Sequence, residues 1–565
     1  MIRRIAAFLL VAAVLRPCAD AAETPLVARV AHGSGGAVAA AEENAARAGI
    51  EILHKGGNAA DAAVAVAFAL AVTWPEAGNI GGGGFWNSRD AQGRSLVVDF
   101  REAAPRLAAR DLFTRPGRNG AAPSSTEGPV ASGVPGSVAG LALAHRRAGR
   151  LAWKTVIEPA VKLARDGFVM TAAVSESIAG ERERLAKNAD AARIFLPGGA
   201  PPVPGKIFRQ PDLAKTLAAI RDRGEDGFYR GETARLFEES QRHGGGLISR
   251  GDLARYEAKI RKPLRFTFAG AEILTTPAPS SGPVLAEMAL AVERVADRVR
   301  EASPNSIHWI AEIEKRAFRD RNRYLGDPAF PGVQEKLFTD PARIDRLIAS
   351  IDPQHATATA RLGTVFPERP TTTHFSVMDA DGMAVSVTTT LNDSFGSARV
   401  ASGLGFLLNN EMDDFATKPG EKNMYGLVQG EVNAVAPGKR MLSSMCPSIA
   451  VVRSRTVLVW GTPGGATIPT TNLQVLTKRL LRGESLGDSV AGPRFHQQDL
   501  PDAITVEAGR FEPEWLDALR AMGHEIRDRS HLGSVHAIAV EKDGSMTAAA
   551  DPRGSGSALI ARETP

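Results

Sequence analysis

At 565 residues, with 44% hydrophobic and 23% charged residues, the chain has the make-up of a globular protein with one large core or two to three smaller ones, which excludes a disordered or fibrous molecule. Its 68 basic and 63 acidic residues leave a formal charge of only +5, a small surplus that argues against a nucleic-acid binder.

The first residues read as an export signal: Arg3 and Arg4 form a charged start, Ile5 to Leu15 an apolar stretch, and Ala19-Asp20-Ala21 a small-residue cleavage site before Ala22. The apolar stretch is shorter than the ~20 residues a membrane-spanning helix needs, and Arg16 ends it. A periplasmic or secreted mature chain with no stable membrane span is therefore expected. Of the two cysteines, Cys18 falls in the signal, where the bulky Pro17 disfavours lipid attachment, and Cys446 is left without an intrachain partner.

In chain order, the periodicity predicts helices over Glu42 to His54, closed by Gly56-Gly57, over Ala59 to Val72, apolar all round and therefore buried, and over Trp153 to Ala164. Leu96 to Phe100 reads as a short strand that delivers Arg101 at its carboxyl end. Polar helices follow at Pro211 to Arg223 and Ile307 to Tyr324, with a Pro/Ser-rich loop from Pro277 to Pro283 between them. After about Val365 the character changes: Pro367 to Pro370 cannot continue a helix and runs into Thr371-Thr372-Thr373 and an alternating strand.

His374 to Met378 and Ala384 to Thr389 alternate on either side of the turn signal Asp379-Ala380-Asp381-Gly382, which predicts a hairpin. A loop of about two to four residues sets position 389, 390 or 391 opposite Thr372, so Thr390 lies beside Thr372. A threonine hydroxyl is a weak nucleophile, but at a chain terminus its own α-amine serves as base. That amine titrates near about 7.7 to 8.0, leaving roughly a tenth neutral at pH 7, whereas a lysine near about 10.4 is almost wholly protonated. Exposing such a terminus requires cutting the bond between Thr371 and Thr372 by an N-to-O acyl shift, with Thr371 the alternative register.

Other chemistries find little support. There is no Gly-x-Ser-x-Gly elbow, no P-loop and no zincin motif, and Gly81 to Gly84 lacks dinucleotide spacing. The 11 scattered histidines disfavour a metal site, and no cofactor is implied. Glu411, Asp413 and Asp414 offer carboxylates for an ammonium, whereas Arg101, Ser443 and Ser444 offer donors for a carboxylate, together suiting a small zwitterion. Gly464-Gly465, after Leu458 to Trp460, offers bare N–H groups for an oxyanion.

These segments, in this order, resemble the γ-glutamyltransferase (glutathione hydrolase) family of N-terminal-nucleophile hydrolases. The likeness runs from about Ala41 to Arg553 through Gly56 to Ala63, Gly78 to Phe85, Asp99 to Glu102, Thr372 to Val377, Thr390 to Asn392, Leu408 to Phe415, Leu442 to Met445 and Pro463 to Gly465. The resemblance implies an α+β fold, a four-layer αββα sandwich formed by two chains from one precursor: signal 1–21, large subunit 22–371 and small subunit 372–565. It gives Thr372 the role of nucleophile, Thr390 that of orienting threonine, and Gly464 and Gly465 that of oxyanion donors. Arg101, Ser443 and Ser444 match residues binding the γ-glutamyl α-carboxylate, and Asn392, Glu411 and Asp414 those binding its α-amino group. Pro419 to Gly426 resembles the lid loop of bacterial members, with Tyr425 closing onto Asn392; position 411 is Glu where some bacterial relatives have Gln.

The implied activity is γ-glutamyl transfer from glutathione or similar compounds to water, amino acids or peptides. The nearest alternative is a cephalosporin or glutaryl acylase on the same scaffold, whose substrates lack the α-amino group. A non-catalytic periplasmic binding protein is the alternative from another class.

Overall fold

The computed structural model describes residues 26–117, 120–359, 372–418, 420–421, 423–424 and 427–561. The signal with Cys18, the Thr371 side of the expected cut, and Tyr425 lie outside the described residues.

Among the described residues fourteen strands build two seven-stranded sheets. In chain order they are β1 (Arg29–Gly33), β2 (Ala37–Ala40), β3 (Gly83–Arg89), β4 (Ser95–Asp99), β5 (Lys259–Arg261), β6 (Leu264–Phe268) and β7 (Ala271–Thr275). After them come β8 (Thr372–Met378), β9 (Ala384–Thr390), β10 (Ser448–Val452), β11 (Arg455–Gly461), β12 (His536–Val540), β13 (Met546–Ala550) and β14 (Ser557–Ile560). The first sheet has the order β14-β2-β8-β9-β3-β4-β5 and the second β1-β13-β12-β11-β10-β7-β6. Both sheets therefore mix strands from before and after residue 372.

Small and branched side chains, among them Ala37, Ala39, Ala384, Ile449, Val459 and Ile538, fill the space between the sheets. The outer face of the first sheet is covered by α1 (Glu43–His54), α2 (Ala59–Thr73), α3 (Ser137–Ala148) and α4 (Trp153–Asp166). The outer face of the second is covered by α5 (Gly282–Arg294), α6 (Pro304–Tyr324) and α7 (Thr467–Leu476). The layers run helix, sheet, sheet, helix, which is the expected αββα sandwich.

The α2 helix is buried along its whole length, as its uniformly apolar pattern requires, and a reciprocal Asn58–Asp61 capping box fixes its start. The polar helix expected over Ile307 to Tyr324 is present as α6. Most of α6 is buried, including Glu312, Glu314, Lys315 and Arg321. Ion pairs explain part of this: Glu312 holds Arg316 at 2.6 Å, and Lys315 holds Asp502 at 2.6 Å. The Gly282-Pro283 end of the expected loop opens α5 instead, with Pro283 in the first turn, where a missing N–H costs nothing.

Candidate active site

Thr372 heads β8 and is 8% exposed. Its register partner is Thr390, the last residue of β9, within the span expected from the hairpin loop. On the other side β2 reaches only as far as Phe375, opposite Ala40, so Thr372 to His374 project beyond that strand. Thr372 and Thr373 line a cavity of about 500 Å³, together with Pro463, Gly533 and Ser534.

The strand head is fixed by polar ties across the sandwich. Ser376 donates to the His536 carbonyl at 3.0 Å, so His374 Nε2–H donates to Ser376 at 3.2 Å and its Nδ1 accepts from Thr388 at 2.8 Å. Burial, with His536 nearby, holds the His374 pKa well below the usual histidine range, and the ring is neutral. A side chain on Gly461 would strike this ring, its Cβ falling 2.3 Å from Cε1. Small residues are thus required where the two sheets approach each other around His374.

Thr390 is held from several directions. Asn79 Nδ2 donates to its carbonyl at 2.9 Å and to Thr389 Oγ1 at 3.2 Å, while Asn79 Oδ1 accepts from Gly82 N–H at 2.9 Å. The Gly81 to Gly84 run is explained by close approach: a Cβ on Gly82 would lie 2.0 Å from the Thr390 carbonyl oxygen, and one on Gly84 2.2 Å from that of Thr388. The Thr390 hydroxyl accepts from the Asn392 N–H at 2.8 Å. Asn392, in the left-handed region at φ 79°, donates through Nδ2 to the Asn410 carbonyl at 3.0 Å.

Asn410 precedes the short turn Glu411–Asp414, which faces Arg101. The Arg101 guanidinium is fully buried and pairs with Glu411 through Nη1 and with Asp414 through Nη2. It also donates to the carbonyls of Met441 at 3.2 Å and Leu442 at 3.3 Å, the residues just before Ser443-Ser444. A set of contacts and chain neighbours thus runs from Thr372 through Thr390, Asn392, Asn410, Glu411 and Arg101 to the Met441 and Leu442 carbonyls, just before the serine pair. The sequence reading assigns Arg101 to one end of a zwitterion and Glu411 and Asp414 to the other. In the structure the two ends touch, and the carboxylates compensate the buried guanidinium.

Glu102, a residue the sequence reading passes over, completes the cluster 3.5 Å from Arg101. Burial opposes the Arg101 charge, but Glu411, Asp414 and Glu102 outweigh it and hold the guanidinium more firmly protonated than usual. Burial pushes the Glu102 carboxyl up to about 7 and that of Glu411 well above the carboxylate range, against the pull of Arg101. Burial likewise raises Asp414, and takes Asp413 up to about 6. Glu102 Oε1 and Glu411 Oε2 are buried without a hydrogen-bond partner, so the polar capacity of the three acids around Arg101 is not filled.

Gly464 and Gly465 precede α7 with φ of 140° and 57°. Their carbonyls accept from Thr467 and Ile468 at 3.1 Å. Among the described residues neither of their N–H groups donates a hydrogen bond. Further residues missing from the sequence reading are Asn79, Asn409 and Arg321. Asn409 donates to the carbonyls of Gly81 and Gly133 and accepts from Glu411 N–H, but only its position before Asn410 hinted at this in the sequence.

A buried threonine heading a strand of an αββα sandwich is the architecture of the N-terminal-nucleophile hydrolases. The gamma-glutamyltranspeptidase family profile matches residues 45–561, and the chain belongs to that family. It is 41% identical over 524 residues to the glutathione hydrolase proenzyme of Escherichia coli, covering 92% of this chain and 90% of that one. It is 42% identical over 539 residues to the Pseudomonas aeruginosa protein of the same name, covering 94% and 95%. The crystal structure of a cephalosporin acylase from Bacillus halodurans shares the fold, with a TM-score of 0.85 at 23% identity over 96% of this chain and 99% of that one.

Proposed function

We propose that this chain is a self-processing γ-glutamyltransferase. It transfers the γ-glutamyl group of glutathione and related compounds to water or to amino acids and peptides. The observation that carries this reading is Thr372 itself, buried at the head of β8, in register with Thr390 and joined by contacts to a charged cluster suited to glutamate. The names of relatives more than 40% identical across the chain support the same substrate class.

In the precursor the Thr372 hydroxyl attacks the Thr371 carbonyl carbon, the acyl group moves from nitrogen to oxygen, and water hydrolyses the ester. This yields a large subunit of 22–371 and a small subunit of 372–565. Strand pairing across both sheets supports a heterodimer that stays together after the cut. The freed α-amine then takes the hydroxyl proton as Thr372 Oγ1 attacks the γ-carbonyl of the donor. Gly464 and Gly465 N–H groups receive the developing oxyanion. The amine of cysteinylglycine leaves with the proton, and water or an amino acid attacks the γ-glutamyl ester, releasing Thr372.

Glu411, Asp414 and Asn392 hold the donor α-ammonium, and the gathering of three acids on one guanidinium supports a second cation there. Arg101, Ser443 and Ser444 serve the α-carboxylate, and Tyr425 belongs to a lid over Asn392. A glutaryl donor has no ammonium to satisfy the acids, which favours the γ-glutamyl reading over the acylase. The export pattern of residues 1–21 supports a periplasmic or secreted enzyme, and among the described residues no helix is long and apolar enough to cross a membrane.

Gel analysis and terminal sequencing of the purified protein test this reading. The wild type resolves into two chains, the smaller beginning at Thr372, and releases p-nitroaniline from γ-glutamyl-p-nitroanilide. Thr372→Ala stays intact and loses activity by at least about 10⁴-fold. A wild type that remains one chain and is inactive would overturn the proposal.

A further inference from the structure

Among the described residues Arg321, like the 7% exposed Arg89, which donates only to the Asp90 and Ser454 carbonyls, differs from the other buried arginines. Arg101, Arg440, Arg494 and Arg553 each hold a carboxylate. Arg321, on α6 and 1% exposed, has only neutral partners: Nε donates to Ser281 Oγ at 2.9 Å, Nη1 to Asn322 Oδ1 at 3.2 Å and Nη2 to Ser444 Oγ at 3.3 Å. Among the described residues no carboxylate oxygen lies within 4.0 Å of it. A buried charge without an opposite charge is costly unless a ligand supplies one. Burial lowers its pKa to about 10, with Asp414 opposing and Arg101 adding to the fall, so it remains a cation at neutral pH.

The hydrogen-bond directions specify what this cation does. Ser444 Oγ accepts from Arg321, so its own proton points elsewhere. Ser281 Oγ accepts from Arg321 and donates to the Ser443 carbonyl at 2.7 Å, so the same arginine also braces the backbone of the serine pair. Arg101, by contrast, is already shared between Glu411 and Asp414.

We infer that Arg321 is a positioning residue for the donor α-carboxylate: it aims the Ser444 hydroxyl at that carboxylate and adds positive charge beside that of Arg101, which Glu411 and Asp414 share. The inference rests on the γ-glutamyl reading of the site.

The test compares wild type, Arg321→Gln, Arg321→Lys and Ser444→Ala on three p-nitroanilides: γ-glutamyl, glutaryl, which lacks the amine, and 4-aminobutyryl, which lacks the α-carboxylate. Self-cleavage into two chains certifies that each variant has folded, and Arg321→Lys stands in if the glutamine variant fails to cleave. Loss of one charge-assisted interaction is expected to raise KM for the two carboxylate-bearing donors about tenfold or more, with kcat within about twofold. The 4-aminobutyryl donor is expected to be unaffected. Lysine restores part of the loss, and combining Arg321→Gln with Ser444→Ala adds little to either alone.

An equal loss on all three donors, or none on any, overturns the inference. If 4-aminobutyryl turnover is too slow to follow, the γ-glutamyl donor decides: a fall in kcat at constant KM overturns it, and a rise in KM at constant kcat upholds it. A wild type that cleaves itself but does not hydrolyse the γ-glutamyl anilide sinks the parent reading instead.

Discussion

The Thr372 end and the Arg101 end of the site are built by different means. Around Thr372 and Thr390 the chain is held by strand pairing, by Asn79 and by glycines at points of close approach. Around Arg101 almost nothing is strand: a turn, two loop carbonyls and three acids converge on one guanidinium. Backbone hydrogen bonds fix position and are insensitive to pH, whereas a buried charge cluster fixes position only while its protonation is right. The first arrangement suits a nucleophile that must meet a carbonyl within tenths of an ångström. The second suits recognition of a charged substrate.

Substitutions at the two ends should therefore fail differently. The largest effect is expected at Arg101: Arg101→Met leaves three buried acids without their cation, costing about 3–5 kcal/mol in stability, read by chemical denaturation, and raising KM for the γ-glutamyl anilide by at least about a hundredfold. Thr390→Ala should lower kcat by about ten- to a hundredfold, the value of one or two well-placed hydrogen bonds, with KM nearly constant. A rise in KM instead would erase the distinction between the ends.

The smallest effect concerns pH. Glu102, with its pKa near 7, and Glu411, raised well above the carboxylate range, take up protons as pH falls, and a protonated carboxyl cannot pair with the donor ammonium. KM is expected to rise about tenfold between pH 8 and pH 6, one ionisation near pH 7 being required. Over the same range kcat falls as the α-amine, near about 7.7 to 8.0, becomes protonated. Glu102→Gln should flatten the KM profile and leave the kcat limb in place; parallel shifts of both would contradict the separation.

The same contrast governs what could be read from the sequence. The hairpin register that pairs Thr372 with Thr390 follows from alternation and loop length, both local properties, and the structure has the same register. The buried α2 helix was likewise legible, whereas the order of the layers came only through the family resemblance. Arg321 was not: it lies on a helix whose charged composition reads as solvent-facing, and only tertiary packing places it against Ser444. The direct pairing of Arg101 with Glu411 and Asp414 was equally hidden, because charge compensation depends on which side chains share a dry space. Tyr425 and the Thr371 side of the cut lie outside the described residues.

The early end of β2 has a consequence for maturation. Because pairing with that strand starts only at Phe375, the head of β8 is joined to the sheet from one side alone, through β9. A cut before Thr372 would sever no rung on the β2 side and would free the new terminus beside the cavity that Thr372 lines, so no described strand pairing depends on the bond that is cut. Maturation thus alters connectivity and charge at one atom pair while leaving the scaffold that positions it intact.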